Sequence, residues 1–241
     1  MSIKKIGRND PCQVPLTYTN RKGRTYYLCQ GVTKTGKPRY YFTQKPKDEV
    51  LERIPEGYRI SESVNGRVSL VKDRPMQILP EEVSAIEAAL QSHPKAQNYR
   101  VNVKHDRIEV YELVGRSAED LIAALVRQGL GSPELADRIR AEQEQYGQFT
   151  PVLRFVLADK TKRTFRVARA SYLDEGWDDV FQVGLVDELA SRWIPRLGTD
   201  EFFDYPSFQE RGDGQAGQKP SGCSPMAISW LLGAIRRHYP G

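Results

Sequence analysis

Through its first third the chain alternates apolar and polar residues with the period of a strand. Leu16–Thr19, Arg24–Gln30 and Pro38–Thr43 are rich in β-branched and aromatic residues and predict three short strands. Their connections, NRKG and TKTGK, contain Gly23 and Gly36, which can supply the positive φ of hairpin loops with Lys or Arg at the tip. In the middle strand Tyr26 and Leu28 face one way and Thr25, Tyr27 and Cys29 the other; in the third, Tyr40 and Phe42 oppose Arg39 and Tyr41. Rings therefore stand on both faces of the predicted meander. KDEVLERI predicts a short helix, and GYRISESVNGRVSLVK, with Asn65-Gly66 between alternating runs, predicts a further hairpin. Together these would cover one face of the meander, leaving the other in need of a cover.

Past Arg74-Pro75, where the first domain boundary is placed, the period lengthens. Pro80 suits a helix start, where a missing N–H costs nothing, and Val83, Ile86 and Leu90 recur on one face. NYRVNVKH and RIEVYEL predict two strands meeting at a His105-Asp106 turn. Ser117, with Asp120 three residues on, predicts a capped helix carrying Leu121, Ile122, Leu125 and Val126 and stopping at Gly129. Ser132-Pro133 opens another helix through Leu135 and Ile139 toward Gly147, and FTPVLRFVLAD with TFRVARAS predicts a hairpin across KTKR. Val183, Val186, Leu189 and Trp193 predict a helix. Strands recur in hairpins rather than in βαβ units, so the expected fold class is α+β and not a doubly wound parallel sheet.

The stretch SFQERGDGQAGQKPSG, with four glycines and almost no large apolar residue, reads as a flexible linker. After it, Ser224 as N-cap and Pro225 at the first helical position introduce an amphipathic helix with Ile228, Leu231, Leu232, Ile235 and Tyr239 on one stripe. A tethered apolar helix must dock, either on its own domain or on a partner. The expected organisation is a polar tail over residues 1–12, a basic antiparallel β-rich module over 13–75, an α+β domain over 76–206, a linker over 207–222 and the C-terminal helix over 223–241.

Charge changes this picture. The formal total of +5 over 241 residues conceals a division: residues 1–47 carry 11 Lys and Arg against Asp10 alone, a net +10, and the remainder nets −5. A basic head on a mildly acidic body points to nucleic acid or another anionic surface. Three cysteines, Cys12, Cys29 and Cys223, odd in number and widely spaced, argue against a disulfide framework. No apolar run approaches the roughly 20 residues of a membrane helix and no secretory h-region opens the sequence, so a cytoplasmic protein without membrane contact is expected.

IGRNDPC, matching over Gly7 to Cys12, resembles the opening of the SEC-C motif, a small zinc-binding segment found at the end of the SecA translocation ATPase. In that family a second cysteine follows after one residue, then a Gly-Ser-Gly-Lys-Lys stretch and a closing Cys-Cys or Cys-His pair. Here Gln13-Val14-Pro15 replaces the continuation and only Cys12 occupies a ligand position, whereas zinc needs four ligands, or three and a water. The resemblance implies a bacterial relative and a former zinc module. The meander, with TNRKGRTYYL and TKTGKPRYYF, is similar to segments of bacterial proteins, a likeness that carries no activity, and its architecture resembles the basic three-stranded sheets of phage-integrase arm domains and plant AP2 domains, a likeness of form alone.

Enzymatic constellations are incomplete. Cys223 lies just before a predicted helix, whose dipole can lower a thiol pKa, but His238 would stand on the order of 20 Å along the same helix. Asp174, Glu175, Asp178 and Asp179 in DEGWDD, with TDEFFD from Thr199 to Asp204, could gather carboxylates for Mg²⁺ or simply mark acidic helix starts. No Gly-rich phosphate loop, nucleophile elbow or His-Glu-x-x-His helix occurs. No catalytic residue, metal ligand or cofactor is assigned. The leading expectation is a non-enzymatic nucleic-acid-binding protein, for DNA or RNA. In it Arg21, Lys22, Arg24, Lys34, Lys37 and Arg39 pair with phosphates while Tyr27 or Tyr41 stacks on bases or lines a groove. The alternatives are a mini-core whose charges serve solubility, a protein-interaction adaptor using the aromatic sheet face and the tethered helix, and an enzyme with an acidic metal site.

Overall fold

In the computed structural model, which describes residues 15–171 and 176–204, the first sheet grows around one long strand. β1 (Thr17–Thr19) and β2 (Thr25–Val32) pair antiparallel, β3 (Pro38–Thr43) lies on the other side of β2, and β4 (Glu49–Val50) joins β2 beside β1. Asn20 closes the first turn: its Oδ1 accepts from the Lys22 and Arg24 amides at 3.1 and 2.9 Å, and its Nδ2 donates to the Gly66 carbonyl at 2.6 Å. Gly66 sits at φ 75°, and a Cβ there would also press on that Asn20 amide at 3.2 Å, so the turn requires glycine twice over.

The helix expected from KDEVLERI is absent; its centre is β4. Only eight residues separate Pro46 from Pro55, fewer than the roughly 12 an isolated helix needs, and the sheet offers a better partner. The Leu51 amide donates to the Leu28 carbonyl at 2.8 Å and the Leu51 carbonyl accepts from Leu16 at 2.9 Å. The cover for one meander face is instead the hairpin of β5 (Tyr58–Glu62) and β6 (Val68–Lys72). Tyr40 meets Tyr58 edge-on at 5.6 Å between ring centres, and the Tyr18 hydroxyl donates to Glu62 at 2.9 Å.

α1 (Pro80–Gln91) follows, with proline in its first turn. Glu82 accepts from the Leu79 amide at 2.8 Å and takes a two-pronged contact from Arg163, at 2.8 and 2.6 Å, pinning the helix start to the second sheet. That sheet comprises β7 (Tyr99–Lys104), β8 (Arg107–Leu113), β9 (Phe149–Asp159), β10 (Thr164–Ala170) and β11 (Trp177–Gly184), antiparallel throughout and in sequential order. Between β8 and β9 stand α2 (Ala118–Arg127) and α3 (Pro133–Tyr146), whose caps Ser117 and Ser132 accept from the Asp120 and Leu135 amides. α4 (Val186–Trp193) and the short α5 (Glu201–Asp204) complete the described chain. Val183, expected to open a helix, belongs to β11, where it pairs with Arg166; the helix begins three residues later. The class is α+β, and no helix among the described residues is long and apolar enough to cross a membrane.

α1 and α4 lie on one face of the second sheet. Ile86 and Leu90 from α1, and Leu189 and Trp193 from α4, pack on Ile108, Val110, Leu153, Phe155, Phe165 and Val167, the alternate residues of β8, β9 and β10. The two sheets meet at the β5–β6 turn: Asn65 Nδ2 donates to the Phe149 carbonyl and Asn65 Oδ1 accepts from the Phe149 amide, both at 2.8 Å. Asn65→Ala leaves a peptide group at the start of β9 without either partner and is expected to cost about 1–3 kcal/mol. Urea unfolding measures this; a loss below about 0.5 kcal/mol would mean that water replaces the amide fully.

Candidate functional site

The face of the meander turned away from the β5–β6 hairpin is built by strand alternation. Tyr27 lies opposite Thr43, Cys29 opposite Tyr41, and Gly31 opposite Arg39. Tyr27 and Tyr41 are thus diagonal neighbours, about 7–8 Å apart at the backbone, and the Arg39 guanidinium lies 5.7 Å from the centre of the Tyr41 ring. Thr17, Thr19, Thr25 and Arg39 are exposed, so the face is open on both flanks. Cys29 is buried, and burial pushes its thiol pKa up, away from reactivity. Asp48 also reaches this face: it accepts from the Tyr41 hydroxyl, and a Cβ on Gly31 would meet its Oδ2 at 2.8 Å.

The bases singled out in the sequence fall at both ends of β2, a strand on the order of 25 Å long. Lys34 and Lys37 are exposed at the β2–β3 turn, near Arg39. Arg24 is exposed at the opposite end. Arg21 and Lys22 turn toward the body. Arg21 donates to the Gly147 carbonyl at 3.3 Å and lies 5.8 Å from the Phe149 ring centre, while Lys22 packs against Gly66 and has its pKa lowered by burial and by Arg21 and Arg24. These two therefore serve the contact between the sheets, and of the bases singled out in the sequence Arg24, Lys34, Lys37 and Arg39 remain outward.

A second basic region was missed in the sequence. The face of the five-stranded sheet opposite α1 and α4 carries Lys104, Arg107, Glu109, Tyr111, Arg154, Arg166 and Asp179. Glu109, buried at its centre, accepts from Lys104 Nζ, Arg107 Nε and the Tyr111 hydroxyl at 2.8–3.0 Å. Burial alone would raise its pKa, but these donors overcome that and hold it below the usual carboxylate range. Beside it, a groove of about 350 Å³ separates the β5–β6 hairpin from β7, with Arg59, Lys72, Arg74 and Lys104 on its walls. The signal was present as an arginine at polar positions of three successive strands, RIEVYEL, LRFVLAD and TFRVARA, but only the register shows that they meet.

The described members of the acidic cluster do not come together. Asp178 and Asp179 are successive residues of a strand and point to opposite faces: Asp178 stands 3.8 Å from Arg169, and Asp179 stands 3.1 Å from Arg166. Among the described residues no group of three potential ligands could hold a metal ion. His93 is structural, its Nδ1 accepting from the Lys95 amide at 3.1 Å and its Nε2 lying 3.2 Å from the Leu197 carbonyl. Gly7 to Cys12, Asp174, Glu175, the 207–222 stretch, Cys223, His238 and the helix carrying Ile228, Leu231, Leu232, Ile235 and Tyr239 lie outside the described residues.

The hydrogen bond to Asp48 pushes the Tyr41 phenol up to about 12. Asp48→Asn removes the charge that the phenolate would repel, so the Tyr41 titration is expected to fall toward the ordinary value of about 10. Ultraviolet titration of full-length protein against the Tyr41→Phe variant measures the shift, and an unmoved titration would rule out the Asp48 contact. Comparison of the chain with protein-family models, with curated proteins and with solved structures gives no match.

Proposed function

We propose that the chain is a non-enzymatic, cytoplasmic nucleic-acid-binding protein and that the open face of the meander is its first contact surface. Arg24, Lys34, Lys37 and Arg39 face solvent as phosphate partners, and Tyr27 and Tyr41 share a face where a base can stack. The observation that carries this reading is the exposed Arg39 over Tyr41, on the sheet face opposite the one that packs against the hairpin. A purely solubilising charge shell requires no such pairing of ring and guanidinium on a single face.

One observation favours a second reading, a protein-interaction adaptor. On α2 the apolar residues Leu121, Ile122, Leu125 and Val126 are all partly or fully exposed, and just beyond it Leu130 is 62% exposed. An amphipathic helix whose apolar side is not buried suits a protein partner. Salt separates the two: phosphate pairing weakens steeply as ionic strength rises, and an apolar helix contact weakens little.

The triple variant Arg24→Gln, Lys37→Gln, Arg39→Gln is expected to bind a labelled oligonucleotide at least about tenfold more weakly than wild type at 0.1 M salt and to show a shallower salt slope, since each lost phosphate contact removes about 0.7–0.9 from it. Fluorescence anisotropy on the full chain gives both quantities. Unchanged affinity would remove the meander as the interface, and no binding by wild type even at low salt would leave the adaptor reading standing.

A further inference from the structure

On the open face of the five-stranded sheet three arginines converge. Arg107 and Arg166 both pair in register with Val156, one from each side, and Arg154 stands two residues back on the same strand and the same face. Arg154 is therefore diagonal to both, about 7–8 Å away at the backbone, while Arg107 and Arg166 are two strand spacings, about 10 Å, apart. Three carboxylates nearby are already engaged, Asp106 by Arg107 at 3.2 Å. Glu109 is shared by Lys104, Arg107 and Tyr111, and Asp179 pairs with Arg166 at 3.1 Å. Four cations against three anions leave the face with one positive charge in excess.

Arg154 carries that excess. Among the described residues it makes no ion pair, and its Nε is buried without a hydrogen-bond partner. Its guanidinium lies 4.3 Å from the centre of the Trp177 ring, which holds it in place without neutralising it. Burial, and then the positive charge of Arg107 and Arg166, pushes its pKa down, with Glu109 and Asp179 offsetting this only in part. A buried donor without an acceptor costs free energy, and like charges crowded on a half-buried face add to that cost. An anion with several acceptor oxygens removes both penalties at once. The β10–β11 side is accessible, with Arg166 and Val183 exposed, and from Arg107 the basic strip continues through Lys104 into the groove walled by Arg59, Lys72 and Arg74.

We propose that Arg107, Arg154 and Arg166 bind a phosphate of a single-stranded nucleic acid whose backbone continues past Lys104 into the groove beneath the β5–β6 hairpin. This rests on the nucleic-acid reading above and assigns it a second, distinct contact. A strip of cations beside aromatic side chains is the arrangement that tracks a single strand, whose bases are free to stack, whereas a duplex keeps its bases internal. Tyr111, on the groove wall, and Trp177, beside the triad, supply rings at the two ends of the strip.

The test is fluorescence anisotropy of full-length protein with a labelled unstructured single strand and with a duplex of the same sequence, across a salt series. Arg154→Gln with Arg166→Gln is expected to weaken single-strand binding at least about tenfold and to lower the salt slope by about 1.4, the value for two contacts to a single strand. Arg138→Gln, on the solvent side of α3, should change neither. Because Arg154 makes no ion pair among the described residues and is crowded by like charge, Arg154→Gln alone is expected to melt no lower than wild type. As a readout independent of any variant's folding, the Nε–H resonance of Arg154 in the wild-type chain should shift when the single strand is added. Wild-type binding that the double variant retains in full, with an unmoved Arg154 resonance, overturns this inference and leaves the meander interface intact. Equal affinity for the duplex, equally sensitive to the substitutions, overturns the single-strand assignment. Failure of wild type to bind any oligonucleotide at low salt is the separate failure of the nucleic-acid reading itself.

Discussion

Among the described residues, helices cover the five-stranded sheet on one side only, and much of the surface chemistry follows from that. α1 and α4 bury Ile86, Leu90, Leu189 and Trp193 against the alternate residues of β8, β9 and β10, and each large side chain so buried contributes about 1.5–3 kcal/mol. Strand alternation then sends the remaining residues to a face that no helix among the described residues closes. Such a face cannot be wholly apolar in water. Here it is tiled with arginine and lysine, whose aliphatic stems can lie along the sheet while their charged heads seek partners.

Finding those partners is the difficulty, and Glu109 meets it only in part. One buried carboxylate gathers Lys104, Arg107 and the Tyr111 hydroxyl, and this suffices to keep it charged despite burial. Asp179 takes Arg166. Arg154 is then left to a ring, which orients a guanidinium without cancelling its charge. On the opposite face Arg169 is buried and its Nε also lacks a hydrogen-bond partner, but its Nη1 donates to the Phe202 carbonyl at 2.6 Å and Asp178 stands 3.8 Å away. The contrast between Arg169 and Arg154 separates a structural arginine from one that, among the described residues, has no hydrogen-bond acceptor or ion-pair partner.

Local patterns were legible where local chemistry decides. The hairpin at Asn65-Gly66, the caps at Ser117 and Ser132, the proline start of α1 and the alternation of β2, β3 and β7 to β10 all follow from nearest neighbours in sequence. Misreadings arose where a distant partner decides. Glu49–Val50 pairs because β2 has a vacant edge there, and β11 was absorbed into a helix because Val183, Val186 and Leu189 happen to fit helical spacing while Arg166 and Phe165 supply the ladder. The basic surface was half legible. Composition marked the meander, yet Arg21 and Lys22 turned inward to hold the two sheets together, and no composition count could show that. The sheet arginines are unremarkable one by one and become a cluster only through register.

The β5–β6 hairpin gives these separate features one geometry. Tyr58 and Glu62 meet the first sheet, at Tyr40 and Tyr18, while Arg59, Ser61 and Ser69 look into the groove beside β7. Asn65 at its tip fixes it to Phe149, and Gly66 locks it to Asn20 in the turn that also carries Lys22 and Arg24. A two-stranded ribbon alone is marginal in water; held between two sheets, it sets the distance between them. The basic end of the meander and the arginine face of the large sheet are thus coupled through one small element. A ligand that engages both surfaces would gain from their fixed spacing, because the second contact forms at high effective concentration once the first is made.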